Sequence, residues 1–297
     1  MHLKQGIKMN SRTIKKLLYG QAFDMGGLPV RQPFPSQNVE QVDPFLLLHH
    51  ADVKVPQHVP VDRAGVGPHP HRGFSPVTFI FKGGVHHRDS RGNDSVIYAG
   101  GTQWMHAGMG IIHSERPPHD IFEMGGRQEI IQLWVNSPGK NKMDQPHYYP
   151  LTKEETPTIH SEDGMTTIQI EAGELNGVKG AIPTLSPVNT FTVEMKKDGR
   201  FYFNIPSSHN LFIYLLDGKA NVNNEQIIEG KYAAVFNNDG TGFEVHAVED
   251  TRFLVGSGDP LNEPVATLGP FVMNNETQIL QALRDYQMGK MGVLIEE

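Results

Sequence analysis

The sequence predicts an all-β protein built as a sandwich or barrel. Three observations carry this. Short runs rich in Val, Ile, Phe, Tyr and Thr recur along the chain. Turn signals separate them at regular intervals. Long helical patterns are few in a chain with 31 glycines and 21 prolines. Its 297 residues allow one large β domain or two of ordinary size.

Pro29, Pro33, Pro35, Pro44, Pro56 and Pro60 exclude long helices from residues 11–60, leaving an opening β segment and extended connections. Met9 offers an alternative start, so the residues before it read as an extension. From residue 74 to about 136 the pattern is strand, turn, strand: Val77–Phe81, Val85–Asp89, Ser95–Tyr98, Gln103–His106 and Ile130–Val135, punctuated by Gly83-Gly84, Gly92, Gly100-Gly101 and Gly108. Residues 137–164 read as a connector, and a second β-rich series runs from Thr166 to Val255. The two series look like weak repeats. Phe79-Ile80-Phe81-Lys82-Gly83 and Tyr214-Leu215-Leu216-Asp217-Gly218 occupy similar places. Asn274–Met288 is the clearest helix. Asn275 with Gln278 resembles a capping box, Ile279, Leu280, Leu283 and Tyr286 make one face, and Gly289 is the stop.

Composition narrows the chemistry. With no cysteine, zinc fingers, iron–sulfur centres, disulfides and thiol nucleophiles are excluded. The N-terminus lacks the apolar core of a signal peptide, and no apolar run reaches the roughly 20 residues of a membrane span; a cytoplasmic protein without membrane contact is expected. A net charge of −7 with no basic cluster argues against direct nucleic-acid binding.

The most informative segments are Pro68-His69-Pro70-His71-Arg72-Gly73-Phe74 and Gly110-Ile111-Ile112-His113-Ser114-Glu115. Residues two apart on a strand share a face. His69 with His71, and His113 with Glu115, therefore point the same way on their strands. Two such strands facing the inside of a barrel bring three imidazoles and a carboxylate together, a donor set for a divalent transition metal with open positions. Fe(II), Mn, Co, Ni, Cu and Zn all suit it. A ligand histidine also needs an acceptor for its other nitrogen; Gln103, His106 and Asp120 are the candidates.

Rival motifs fail. Gly108-Met109-Gly110-Ile111-Ile112-His113 has His where a dinucleotide fingerprint needs its third Gly, and no helix is expected after it. In His113-Ser114-Glu115 the serine points away from its neighbours on a strand, so it is no hydrolase triad. His87-Arg88-Asp89 mimics a kinase loop without any other kinase element. His86, His87, His106 and His119 read as surface or supporting histidines, and Trp104 and Trp134 as core.

At these residues the chain resembles the pirin family of the cupin superfamily. The likeness spans nearly the whole sequence: Asp43-Pro44-Phe45-Leu46-Leu47-Leu48, the His69 and His113 motifs, His87-Arg88-Asp89-Ser90, Gln103-Trp104-Met105, Gln132-Leu133-Trp134-Val135, Gly269-Pro270-Phe271-Val272-Met273-Asn274 and Asp285-Tyr286-Gln287. It implies two cupin (double-stranded β-helix, jelly-roll) barrels packed together, with few short helices and a C-terminal helix. Residues 1–140 would form a metal-binding barrel and 141–297 a barrel without ligands. The implied metal ligands are His69, His71, His113 and Glu115, and the usual metal is iron. One departure is Ser75-Pro76, where family members commonly place Glu after Gly-Phe.

The resemblance also implies activity like that of quercetin 2,3-dioxygenases, which open flavonol-type substrates with O2. Glu115 would then accept the substrate hydroxyl proton, making it the catalytic residue. The alternative it implies is an iron- or redox-responsive regulator acting through a protein partner. A monomer is expected in either case.

Overall fold

The computed structural model describes residues 10–55 and 64–296. The expected N-terminal extension and the positions of Pro56 and Pro60 lie outside the described residues. The architecture is two antiparallel barrels, each made of a seven-stranded sheet facing a four-stranded one. In the first barrel the large sheet runs, strand beside strand, His147–Leu151, Thr102–His106, Phe74–Lys82, Arg127–Asn136, Phe45–Lys54, Leu28–Phe34 and Gln21–Met25. Facing it are Val66–His71, Ile111–Arg116, Gly84–Asp89 and Asp94–Tyr98.

The second barrel repeats this plan. Its large sheet is Ile14–Tyr19, Tyr232–Phe236, Asn210–Asp217, Thr251–Gly258, Val188–Met195, Thr166–Ala172 and Thr158–His160. The suspected repeat has a structural counterpart. Phe74–Lys82 and Asn210–Asp217 are both interior strands, and each ends at a glycine of positive φ, Gly83 or Gly218. At Gly218 a Cβ would meet the Asp250 carbonyl at 2.2 Å, so no other residue fits without a shift.

The large sheets pack back to back. Strand alternation sends Val77, Phe79, Ile131, Leu133 and Leu48 outward from the first barrel, where they join Phe212, Tyr214 and Leu254 of the second in one buried cluster. Phe212 meets Phe34 and Phe45 edge-on, at centroid separations of 5.2 and 5.1 Å. A charged group crosses the same seam: the buried Glu129 carboxylate lies 2.9 Å from both Lys82 Nζ and Arg252, and 3.3 Å from His50.

The opposite faces differ in kind. The second barrel is filled by one apolar cluster in which Phe203 stacks on Phe243 at 4.9 Å. The inner face of the first barrel instead carries His49, Thr78, Gln103, Gln132 and the histidines of both motifs. Among the described residues the cluster able to hold a metal, His69, His71 and His113, lies in this barrel.

The stretch read as a connector holds structure. The 137–164 connector contributes His147–Leu151 to the first barrel and Thr158–His160 to the second. A short unexpected helix, His119–Met124, follows Pro117-Pro118. The C-terminal helix spans Glu276–Gln287, with Asn275 Oδ1 accepting from the Gln278 amide at 3.0 Å. Its expected apolar face needs correction: Leu280 and Tyr286 are exposed, and Ile279, Ala282 and Asp285 are the buried positions. Asp285 takes a core position because Arg72 supplies a buried partner, 3.0 Å away. Gly289, at φ +72°, ends the helix. Among the described residues no helix is long and apolar enough to cross a membrane.

Candidate metal centre

Val66–His71 and Ile111–Arg116 pair antiparallel, with His113 directly opposite His69 and Ile111 opposite His71. Directly opposed residues share a face, so all three imidazoles enter the barrel together. Each offers a ring nitrogen within 4.8 Å of the others. A register shift follows His113: Glu115 pairs with Val66, three residues before His69 rather than two. The Glu115 carboxylate lies outside the 4.8 Å group. It accepts from Thr78 Oγ1 at 2.6 Å and Gln132 Nε2 at 2.8 Å, both on the facing sheet.

Hydrogen bonding orients the rings. His69 Nδ1 lies 2.8 Å from the Gly67 carbonyl, which only accepts, so a proton sits on Nδ1 and Nε2 is turned toward the other imidazoles. His87 Nε2 lies 3.0 Å from Asp89 Oδ2 and donates to it. His87 Nδ1 approaches His113 Nδ1 at 3.4 Å, and His113 Nε2 approaches His69 Nε2 at 3.0 Å. Three imidazoles this close, each offering a ring nitrogen to the same point, have the spacing of metal ligands. His71 adds ring nitrogens that are buried and make no hydrogen bond of ordinary geometry, although the nearby Pro270 carbonyl mildly favours its protonated form. Burial, reinforced by the neighbouring imidazoles, holds both His71 and His113 well below the usual histidine range. They are neutral donors, as metal ligation requires.

The supporting residues differ from those expected. Gln103 donates to the Val85 carbonyl, His106 contacts Ser75 and the Pro183 carbonyl, and Asp120 accepts from the exposed Tyr98 hydroxyl. None touches a ligand histidine through these bonds; the Gly67 carbonyl and the His87–Asp89 pair do. His87 is held in place by Tyr148, whose ring stacks on it at 3.9 Å and 6°. Trp134 is more than core: with Phe74 it packs against the His71 ring, at 5.7 and 5.1 Å. Ser75 is turned away from the histidines and hydrogen-bonds His106 Nδ1 at 2.7 Å. The departure at Ser75-Pro76 therefore falls on the far side of its strand.

His87, read as a surface or supporting histidine, is a supporting one, and its partner Asp89 lies two residues on along the same strand face. One residue passed unnoticed in the sequence: His49, which lines a cavity beside Glu115. No spacing signal marks it, because it acts through a cross-strand neighbour.

Comparison with known proteins agrees with the geometry. Residues 27–135 match the family model described as Pirin, and residues 190–292 that of the pirin C-terminal cupin domain. A Pseudomonas aeruginosa protein named "Putative quercetin 2,3-dioxygenase" is 36% identical over 267 residues, covering 89% of this chain and 92% of its own. Pirin-like protein 2 of Arabidopsis thaliana is 33% identical, over 95% of this chain and 86% of its own. A crystal structure of quercetin 2,3-dioxygenase from Acinetobacter baumannii superposes with a TM-score of 0.89 at 35% identity, covering 97% of this chain and all of its own.

Proposed function

Because the chain belongs to the pirin family of the cupin superfamily, we propose that it is a mononuclear metal-dependent dioxygenase opening flavonol-type substrates with O2. The observation that carries the reading is the cluster of His69, His71 and His113, whose ring nitrogens lie within 4.8 Å of one another inside the barrel. His69, His71 and His113 would hold the metal, with Glu115 as the fourth donor. An all nitrogen-and-oxygen donor set without thiolate suits Fe(II), which we take as the resident ion. When bound, the metal supplies Lewis acidity and a common meeting place for substrate and O2.

The protein's own groups do the rest. Glu115 accepts the hydroxyl proton of the substrate, and Thr78 and Gln132 keep its carboxylate oriented for that transfer. Phe74 and Trp134 close one side of the histidine cluster with apolar surface. Beside Glu115 the barrel encloses a cavity of about 30 Å3, whose lining is mostly aliphatic. Met25 and Leu28 line both this cavity and an outer cleft, so an aromatic ring enters by displacing them.

The test is elemental analysis of protein purified without a His-tag, followed by O2 uptake with quercetin. Metal at one equivalent, lost in His71→Ala, and O2 uptake depressed roughly 100-fold or more in a metal-loaded Glu115→Gln variant are expected. Metal-loaded protein that consumes no O2 with quercetin would sink the reading.

A further inference from the structure

We infer that His49 is a substrate-binding residue, its Nδ1 accepting a hydrogen bond from a hydroxyl group of an aromatic ligand held beside Glu115. The inference deepens the oxygenase reading and rests on it for the location of the substrate.

Four strands of the large sheet place a polar row on its inner face. His49 is opposite Gln132, Gln132 opposite Thr78, and Thr78 opposite Gln103. Gln132 and Thr78 donate to Glu115. Gln103 donates to the Val85 carbonyl and leaves its Oε1 unpartnered, but it does not line the cavity beside Glu115. His49, at the end of the row, does line it and is half occupied. Its Nε2 lies 2.6 Å from Gln32 Oε1. The Gln32 amide nitrogen donates to the Pro35 carbonyl at 2.8 Å, which fixes the oxygen as the atom facing His49. His49 therefore carries its proton on Nε2, and Nδ1 is bare. That nitrogen is buried and has no partner, in a residue 7% exposed. A buried acceptor without a donor is unfavourable, and a ligand hydroxyl removes the deficit.

The surroundings specify what would supply it. His49 lines the same cavity as Glu115 and Gln132, and the remaining walls include Leu28, Val30, Ala51, Val85 and Ile130. Phe23 lies stacked on the His49 ring at 5.7 Å, fixing its plane. Burial brings the His49 pKa down to about 4, so the ring stays an uncharged acceptor at neutral pH. Largely aliphatic walls, with His49 Nδ1 left unpartnered among the polar lining residues Glu115, Gln128 and Gln132, select a flat ring that bears a hydroxyl over one that does not.

Phenol and toluene separate these contributions. With Zn(II)-loaded full-length protein, phenol is expected to bind His49→Phe roughly 5- to 10-fold more weakly than wild type. Toluene should bind both equally, and His49→Gln, which restores an acceptor, should recover part of the loss. In wild type, phenol but not toluene should shift the 15N resonance of His49 Nδ1, a readout independent of how any variant folds. Metal content should be unchanged in both variants. Equal phenol affinity in wild type and His49→Phe, an unmoved Nδ1 resonance at saturating phenol, or no phenol binding overturns the inference. Quercetin turnover separates the two readings. A phenol signature at His49 without turnover defeats the oxygenase, and turnover with His49 silent defeats only the present inference.

Discussion

Arg72 and Asp285 form a buried ion pair at 3.0 Å that joins the residue after His71 to the C-terminal helix, 213 positions away. Arg72 Nε also donates to the Met109 carbonyl at 2.6 Å, in the turn that leads to His113. One guanidinium thus ties both ligand-bearing segments to the helix. Asp285→Ala leaves that cation buried without its counter-ion, at a cost of about 3–5 kcal/mol. Metal affinity should fall roughly 10- to 100-fold because the ligand strand loses its outer support. Urea denaturation and chelator competition measure the two effects; unchanged metal affinity would show that the pair serves the fold alone.

Acid should strip the metal. His71 and His113 are neutral in the fold, and their ordinary value is 6.5. Burial holds both well below that value, so protons compete for the same lone pairs only as pH falls well below it, and the retained fraction should decline there. Dialysis at stepped pH with metal analysis reads this directly. Loss of metal already at pH 6.5, or full retention down to the pH at which the fold itself is lost, contradicts ligation by these imidazoles.

Glu171 should make the protein less stable as pH rises. It is buried between the barrels' large sheets, with Oε1 accepting from Thr192 at 2.6 Å and Oε2 unpartnered. Burial pushes its pKa up from 4.5 to about 8, against the opposing effect of the Thr192 hydroxyl. The folded state holds a proton that the unfolded chain releases. Stability is therefore lost between about pH 4.5 and about pH 8 and is flat above. Glu171→Gln should remove that component and gain on the order of 1 kcal/mol per pH unit across the window. Parallel pH–stability slopes for the two proteins would refute it.

The seam between the barrels depends on Arg252. Its guanidinium contacts both Glu129 and Asp217. Arg252→Met should destabilise by about 2–3 kcal/mol, since Glu129 stays buried with only Lys82 and His50. Thermal or urea unfolding checks this, and a loss below about 0.5 kcal/mol would mark the pair as an ordinary surface contact.

The ligand histidines were legible because a two-residue spacing has one meaning on a strand, and His69 and His71 obey it. The placement of Glu115 was less so: a bulge after His113 depends on the partner strand, which no local pattern records. His49 escaped for a related reason: its role comes from Gln32 and the cavity, neither of which a local pattern records. His87 was read as surface or supporting, and its contacts with Asp89 and His113 decide for the second. The helix was recognised, but its face was misjudged because a buried aspartate looks polar until Arg72 is placed against it. His147–Leu151 was read as linker because Pro146, Pro150 and the charged residues on either side, Lys142 and Asp144 before and Lys153-Glu154-Glu155 after, mask a strand that completes a sheet edge.

The two ends of the chain cross over. Ile14–Tyr19 borders the large sheet of the second barrel, while the C-terminal segment returns to the first, with Arg72 bridging Phe271 and Met291 packed beneath Gly110. Severing the chain between the barrels would strip a border strand from one and uncover the ligand-bearing turn of the other. The halves are therefore not interchangeable cassettes. The second barrel cannot be discarded by truncation, and a lineage that keeps the first barrel's chemistry must inherit the braided pair.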